Sequence, residues 1–149
     1  MAYNFNGPRC IMYWSGTQNI SHNTFQQITT TPVVHVDSTG SSMGDTGNNR
    51  INIVEDGDYL IGGTIRFTNP GISVNAGFRL TDGTSDLLYN IISYNNDGAS
   101  KTQNGSTIWP LSDGDFVRLD AYWSYSGGSG SYQVLGGSQA VKLWAIKLQ

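Results

Sequence analysis

Tyr59-Leu60-Ile61-Gly62-Gly63-Thr64-Ile65-Arg66-Phe67 is the most regular stretch of the chain. In an extended segment Tyr59, Ile61, Ile65 and Phe67 fall on one face, with Gly63 among them, and Leu60, Gly62, Thr64 and Arg66 fall on the other. Successive side chains of a strand point to opposite sides, so an apolar set at period 2 marks a strand with one buried face. A helix would need apolar residues at i, i+3, i+4 and i+7, and no such stripe is sustained in the 149 residues. The fold class read from this pattern is all-β.

The same pattern recurs on both sides of that stretch. Ile51-Asn52-Ile53-Val54 and the turn Glu55-Asp56-Gly57-Asp58 precede it. Val74, Ala76, Phe78 and Leu80 alternate with Asn75, Gly77 and Arg79 as far as Asp82-Gly83, a tight-turn pair. Leu87 to Tyr94 reads as a strand closed by Asn95-Asn96-Asp97-Gly98. Thr107-Ile108-Trp109 reads as a short run cut by Pro110, which cannot donate to a ladder. Phe116 to Tyr125 sets Val117, Leu119, Ala121 and Trp123 on one face. Beyond the Gly/Ser stretch Ser126 to Ser131, two last strands are predicted near Tyr132–Leu135 and Gln139–Leu148. In the first fifty residues, Cys10 to Trp14 and Ile28 to Val36 read as strands, and Ser38 to Asn49 as a mobile polar loop. About eight to ten antiparallel strands at this turn spacing predict a jelly-roll sandwich. Residues 25–149 form that domain, and residues 1–24 are an N-terminal arm or its first strand.

Charged residues make up 13% of the chain, against about 25% in an ordinary soluble protein. The surface must therefore be built from Ser, Thr, Asn, Gln and Gly, which suits protein or glycan contacts. A net charge of −3 gives no electrostatic reason to bind phosphate backbones, so no nucleic-acid partner is expected. No run approaches the ~20 apolar residues of a membrane span, so no membrane partner is expected either. The start, Met1 to Gly7, lacks the basic and apolar regions of a signal peptide, and Cys10 has no second cysteine to pair with. The reading is a protein made in a cytoplasm.

Aromatic residues suggest contact surfaces. Tyr122, Trp123 and Tyr125 share one strand, with Tyr122 facing away from Trp123, and a strand with aromatics on both faces is covered on both faces. In the last strand Trp144, Ile146 and Leu148 lie on one face, and Val141, Leu143 and Ala145 on the other, as in a central strand. A subunit interface supplies such a second cover, so Tyr122, Trp123, Tyr125, Leu143, Trp144, Ile146 and Leu148 are the candidate interface. The alternative for Tyr122 and Tyr125 is a strand end with hydroxyls in water. Tyr3, Phe5, Tyr13 and Trp14 are candidates for an arm that docks on a neighbour or a capsid lattice, or else belong to an ordinary first strand.

Four segments in order resemble the C1q/TNF-like jelly-roll family. They are Thr24-Phe25 through Val36-Asp37, Arg50 through Ile61, Leu111-Ser112-Asp113-Gly114-Asp115-Phe116-Val117-Arg118-Leu119, and Ala140 through Leu148. The resemblance implies a ten-strand jelly roll that assembles as a compact homotrimer. It departs from the secreted members in having no collagen-like stalk, signal peptide or disulfide. Similar stand-alone modules occur on tailed bacteriophages, as capsid decoration proteins or in fibres. The expectation is a homotrimeric decoration protein on a virion surface, made in the bacterial host cytoplasm and bound to the major capsid protein or other virion proteins. The alternative is a receptor- or glycan-binding fibre tip, with the Ser38–Asn49 and Ser124–Ser131 loops holding sugars.

Catalytic signals are weak. His22 and His35 are too far apart for a one-strand metal pair. Glu55-Asp56-Gly57-Asp58 and Asp113-Gly114-Asp115 could offer oxygens to calcium but lack the twelve-residue EF-hand pattern, and Asp and Gly are normal turn residues. No spacing selects a carboxylate pair for glycan cleavage, and there is no Gly-x-Ser-x-Gly elbow or P-loop. No cofactor, metal or enzymatic activity is expected.

Overall fold

A computed structural model of the chain describes residues 7–68, 72–95, 99–127 and 131–148. Its strands are β1 (Arg9–Trp14), β2 (Thr17–Ser21), β3 (Gln26–Gln27), β4 (Pro32–Asp37), β5 (Gly44–Asp45), β6 (Arg50–Asn52), β7 (Gly57–Phe67), β8 (Val74–Thr81), β9 (Asp86–Tyr94), β10 (Lys101–Leu111), β11 (Phe116–Ser124), β12 (Ser131–Leu135) and β13 (Lys142–Lys147). The front sheet runs β2-β12-β7-β13-β1-β4, with β10 on the other side of β7. The back sheet runs β5-β6-β11-β8-β9, with β3 also on β11. The chain is an all-β jelly-roll sandwich.

The alternating residues meet between the sheets. Tyr59, Ile61, Ile65 and Phe67 of β7, with Leu143 and Ala145 of β13, face Val74, Ala76, Phe78 and Leu80 of β8 and Val117, Leu119, Ala121 and Trp123 of β11, and all are buried. β13 lies between β7 and β1, pairing Leu143 with Gly63 and with Met12, so the closing strand is central.

Two local readings change, and β2 had no reading at all. β10 runs through Pro110 to Leu111 rather than ending before it. Among the described residues it pairs only with β7, and a sheet-edge strand tolerates a residue without an N–H on its open side. β2 has no hydrophobic alternation because one of its inward positions is Gln18, whose Nε2 donates to Gln27 O at 2.8 Å and whose Oε1 accepts from Thr29 N at 2.7 Å. Those bonds let a buried amide take a core position. Residues 7–21 supply β1 and β2 to the front sheet, so this described part of the N-terminal stretch is strand in the same sandwich. Tyr3 and Phe5 lie outside the described residues.

The second change concerns Ser38–Asn49, which is anchored rather than loose. Its Met43 is fully buried in the core. Asp37 holds it there: Oδ1 accepts from Thr39 N at 2.9 Å and Thr39 Oγ1 at 2.5 Å, and Oδ2 accepts from Met43 N at 3.0 Å and Gly44 N at 2.9 Å. Burial pushes the Asp37 carboxyl up, but these hydrogen bonds outweigh it and hold the group below the usual carboxylate range. A lowered folded value means stability that is complete above the ordinary 3.8 and fades as pH falls through the folded value. Asp37→Ala strands several backbone N–H groups and frees Met43, at a cost of about 2–3 kcal/mol near neutrality. Urea unfolding at pH 7 and pH 3 checks this, and the gap between Asp37→Ala and the unmodified chain should narrow at the lower pH.

Candidate subunit interface

Each sheet of a sandwich has an outer face, and the two outer faces here differ. On the back sheet Asp120 alternates with buried Leu119 and Ala121, so it points outward, yet it is only 1% exposed. Its Oδ2 accepts from Arg79 Nε at 3.0 Å and its Oδ1 from Arg118 Nε at 3.1 Å, while Arg79 Nη1 reaches Asp86 at 2.9 Å. Phe25 lies over the Arg79 guanidinium at 4.4 Å and against the Tyr122 ring at 4.9 Å. The Tyr122 hydroxyl donates to Asn23 Oδ1 at 2.7 Å. The chain covers the middle of this face with its own charges and its own aromatic ring, and leaves Tyr89 on the β9 edge 58% exposed.

Among the described residues, the outer face of the front sheet has no such seal. Opposed residues in antiparallel strands share a face. Val36, Ile11, Trp144, Gly62 and Ser106 therefore form one row across β4, β1, β13, β7 and β10. Arg9, Ile146, Leu60 and Ile108 form the next, with the exposed Arg9 at its β1 end. Trp144, Ile146, Ile11, Val36 and Leu60 are half-buried and Ile108 is 57% exposed. Gly62 shapes the centre: a Cβ there would overlap the Trp144 indole, so glycine lets the ring lie across β7. Beside Ile11 a cavity of about 240 Å³ is lined by Tyr13, His35, Gln139 and Lys142. Tyr13 and His35 meet edge-on at 6.3 Å, and Lys142 Nζ donates to Gln139 Oε1 at 3.1 Å.

The seven candidate interface residues thus divide. Trp144, Ile146 and Leu148 lie on the outward side of the closing segment, half-buried. Leu143 is fully covered by its own chain. Trp123 is a core residue, and its indole N–H donates to Ile20 O at 2.6 Å. Tyr125 stacks on Trp123 with centroids 5.8 Å apart, and Tyr122 belongs to the sealed back sheet. These residues do not form one surface, and Leu143 and Trp123 need no neighbour for their cover. Of the arm candidates, Trp14 is buried, with its Nε1 donating to Asn49 Oδ1 at 3.1 Å, while Tyr13 lies on the open front face. Ile11, Leu60 and Ile108 were not singled out by the sequence, although Leu60 and Gly62 already stood on the second face of the Tyr59–Phe67 pattern.

Among the described residues no group of three or more His, Cys, Asp or Glu side chains converges as metal ligands. The two Asp/Gly turns bind each other: Asp113 N donates to Asp56 Oδ1 at 2.8 Å and Gly114 N to Ile53 O at 3.0 Å. Cys10 is buried, and burial with the nearby Asp37 charge pushes its thiol up to about 12, far from the thiolate a nucleophile needs.

No family model matches the chain, and no curated protein matches it in sequence. Solved structures do match in three dimensions. Murine APRIL at pH 5.0 superposes with a TM-score of 0.66 at 10% identity, over 95% of this chain and 98% of that one. Eiger TNF from S. frugiperda gives 0.63 at 12% identity, over 95% and 92%. The globular domain of the zebrafish complement 1qA protein gives 0.59 at 13% identity, over 93% and 95%. At such identities the likeness is one of fold: the chain is a C1q/TNF-like jelly roll.

Proposed function

We propose that the chain is a structural protein that assembles as a homotrimer through the outer face of its front sheet and decorates a bacteriophage capsid, bound to the major capsid protein. The observation that carries the assembly is the open row Ile11, Trp144 and Gly62 with its neighbours Ile146, Leu60 and Ile108, beside a back sheet already sealed. Contiguous apolar surface of this kind marks a protein contact. Its burial contributes roughly 25 cal/mol per Å². A second copy is the occupant that fits, because this face belongs to a fold shared with C1q and TNF domains and, among the described residues, carries Arg9 and Lys142 at its margin around an apolar centre. The capsid role is supported by the resemblance to stand-alone phage modules and by the low-charge, hydrogen-bonding composition. Binding to the shell adds RT ln(1 + [L]/Kd) to its stability, about 2.7 kcal/mol per site at a hundredfold excess over Kd.

The test is the copy number and position of the protein on purified particles that contain it. Many copies, in threes at equivalent lattice positions, are expected. A few copies at the tail alone, or none on the shell, would reject the decorating role.

A further inference from the structure

We propose that a cleft at one end of the sandwich, between the start of β8, the end of β9 and the segment after β11, binds a single neutral hexopyranose ring. The site is made by one chain, so it stands whether or not the assembly reading does.

The cleft has a volume of about 220 Å³ and is bordered by Asn75, Ser93, Tyr94, Asn95, Tyr125 and Ser126. Pockets for drug-sized ligands run from roughly 300 to 1,000 Å³, so this one has room for a ring-sized molecule. None of the described residues lining it carries a charged side chain. Among these described lining residues an anion would find no cationic side chain and a metal ion no carboxylate. An apolar ligand would leave the amides and hydroxyls without partners, at a desolvation cost. A neutral ring rich in hydroxyls on its rim, with C–H groups on its faces, matches both halves of the lining.

The polar groups retain bonding capacity. Ser93 Oγ donates to Asn75 Oδ1 at 2.5 Å, and the Asn75 amide N–H groups have no partner among the described residues. No hydrogen bond of the Asn95 or Ser126 side chains occurs among the described residues. β-sheet register fixes the cluster: Asn75 lies opposite Ser93, and Val74 opposite Tyr94.

The aromatic groups are held in place. The Tyr125 ring stacks on Trp123 at an interplanar angle of 11°, His22 meets it edge-on at 5.8 Å, and the Tyr125 N–H donates to His22 Nε2 at 3.2 Å. Tyr94 packs against the core, with Lys101 over its ring at 5.6 Å. Tyrosines of fixed rotamer beside short amides and hydroxyls bind with little loss of side-chain entropy, the composition that binding loops favour.

The experiment follows backbone amide shifts of the ¹⁵N-labelled chain during titration with methyl glycosides of glucose, galactose, mannose and N-acetylglucosamine, and with N-acetylneuraminic acid. At least one neutral glycoside should saturate with a millimolar Kd and shift the amides of Asn75, Ser93, Asn95 and Ser126. Ser93→Trp, which fills the cleft, and Asn75→Ala, which removes its donor, should each raise that Kd about tenfold while the thermal midpoint stays unchanged. The proposal is overturned by an absence of shifts with every neutral glycoside, by shifts that map elsewhere, by affinity unchanged in both variants, or by tighter binding of the acidic sugar.

Discussion

Asp120→Ala should lower the stability of the sandwich by about 3 kcal/mol, within the range for breaking a buried ion pair by removing one partner. The carboxylate is nearly inaccessible and is shared by Arg79 and Arg118. Removing it leaves two guanidinium groups close together on one sheet face. The effect sits at the low end of the range because both arginine side chains are about a quarter exposed and reach water, and because Arg79 keeps Asp86. Phe25, which lies over Arg79, should loosen with it, so Tyr122 and Tyr89 lose a packing partner. Denaturant unfolding of the variant gives the number directly. A loss under 1 kcal/mol would mean that the seal on the back sheet is ornamental, and with it the contrast between the two faces.

Trp144→Asp should abolish assembly while leaving the fold intact. Trp144 sits at the centre of the open row, between Ile11 and Gly62. In a lone chain it faces outward and is half-buried, so a carboxylate there remains hydrated. In an interface the same charge would be dehydrated and unpaired, at about 3–5 kcal/mol per contact. At 1.4 kcal/mol per tenfold, each contact weakens about a hundredfold to a thousandfold or more. Ile108→Asp tests the same face at a residue the lone chain leaves exposed. Sedimentation velocity of both variants should show single chains whose far-ultraviolet dichroism matches the unmodified protein. Trimers that persist in both would place the interface elsewhere.

The sandwich was legible wherever alternation was written in hydrophobic residues. Tyr59–Phe67, Val74–Leu80 and Val117–Trp123 contribute their inward sets to the core as read. It was illegible where chemistry replaced hydrophobicity. Gln18 holds a buried strand position through two amide hydrogen bonds, and no periodicity reports that. Met43 reaches the core from a polar loop because Asp37, six residues earlier, folds the loop back. Pro110 stops a strand on paper but not at a sheet edge, where its missing donor has no partner to lose. The candidate interface was legible by strand but not by face. Apolar residues on both sides of the closing segment correctly marked β13 as central, yet only pairing with β7 and β1 separates Leu143, which its own chain covers, from Trp144 and Ile146. Trp123 shows the converse: it shares the Val117-Leu119-Ala121 face yet also stands among the interface candidates, and its buried indole N–H on Ile20 O makes it core.

Sedimentation equilibrium of the unmodified chain at micromolar concentration tests the idea that copies of the chain cover the open front face. The expected result is one species of three times 16.2 kDa. A species of 16.2 kDa that persists at the highest attainable concentration would contradict it.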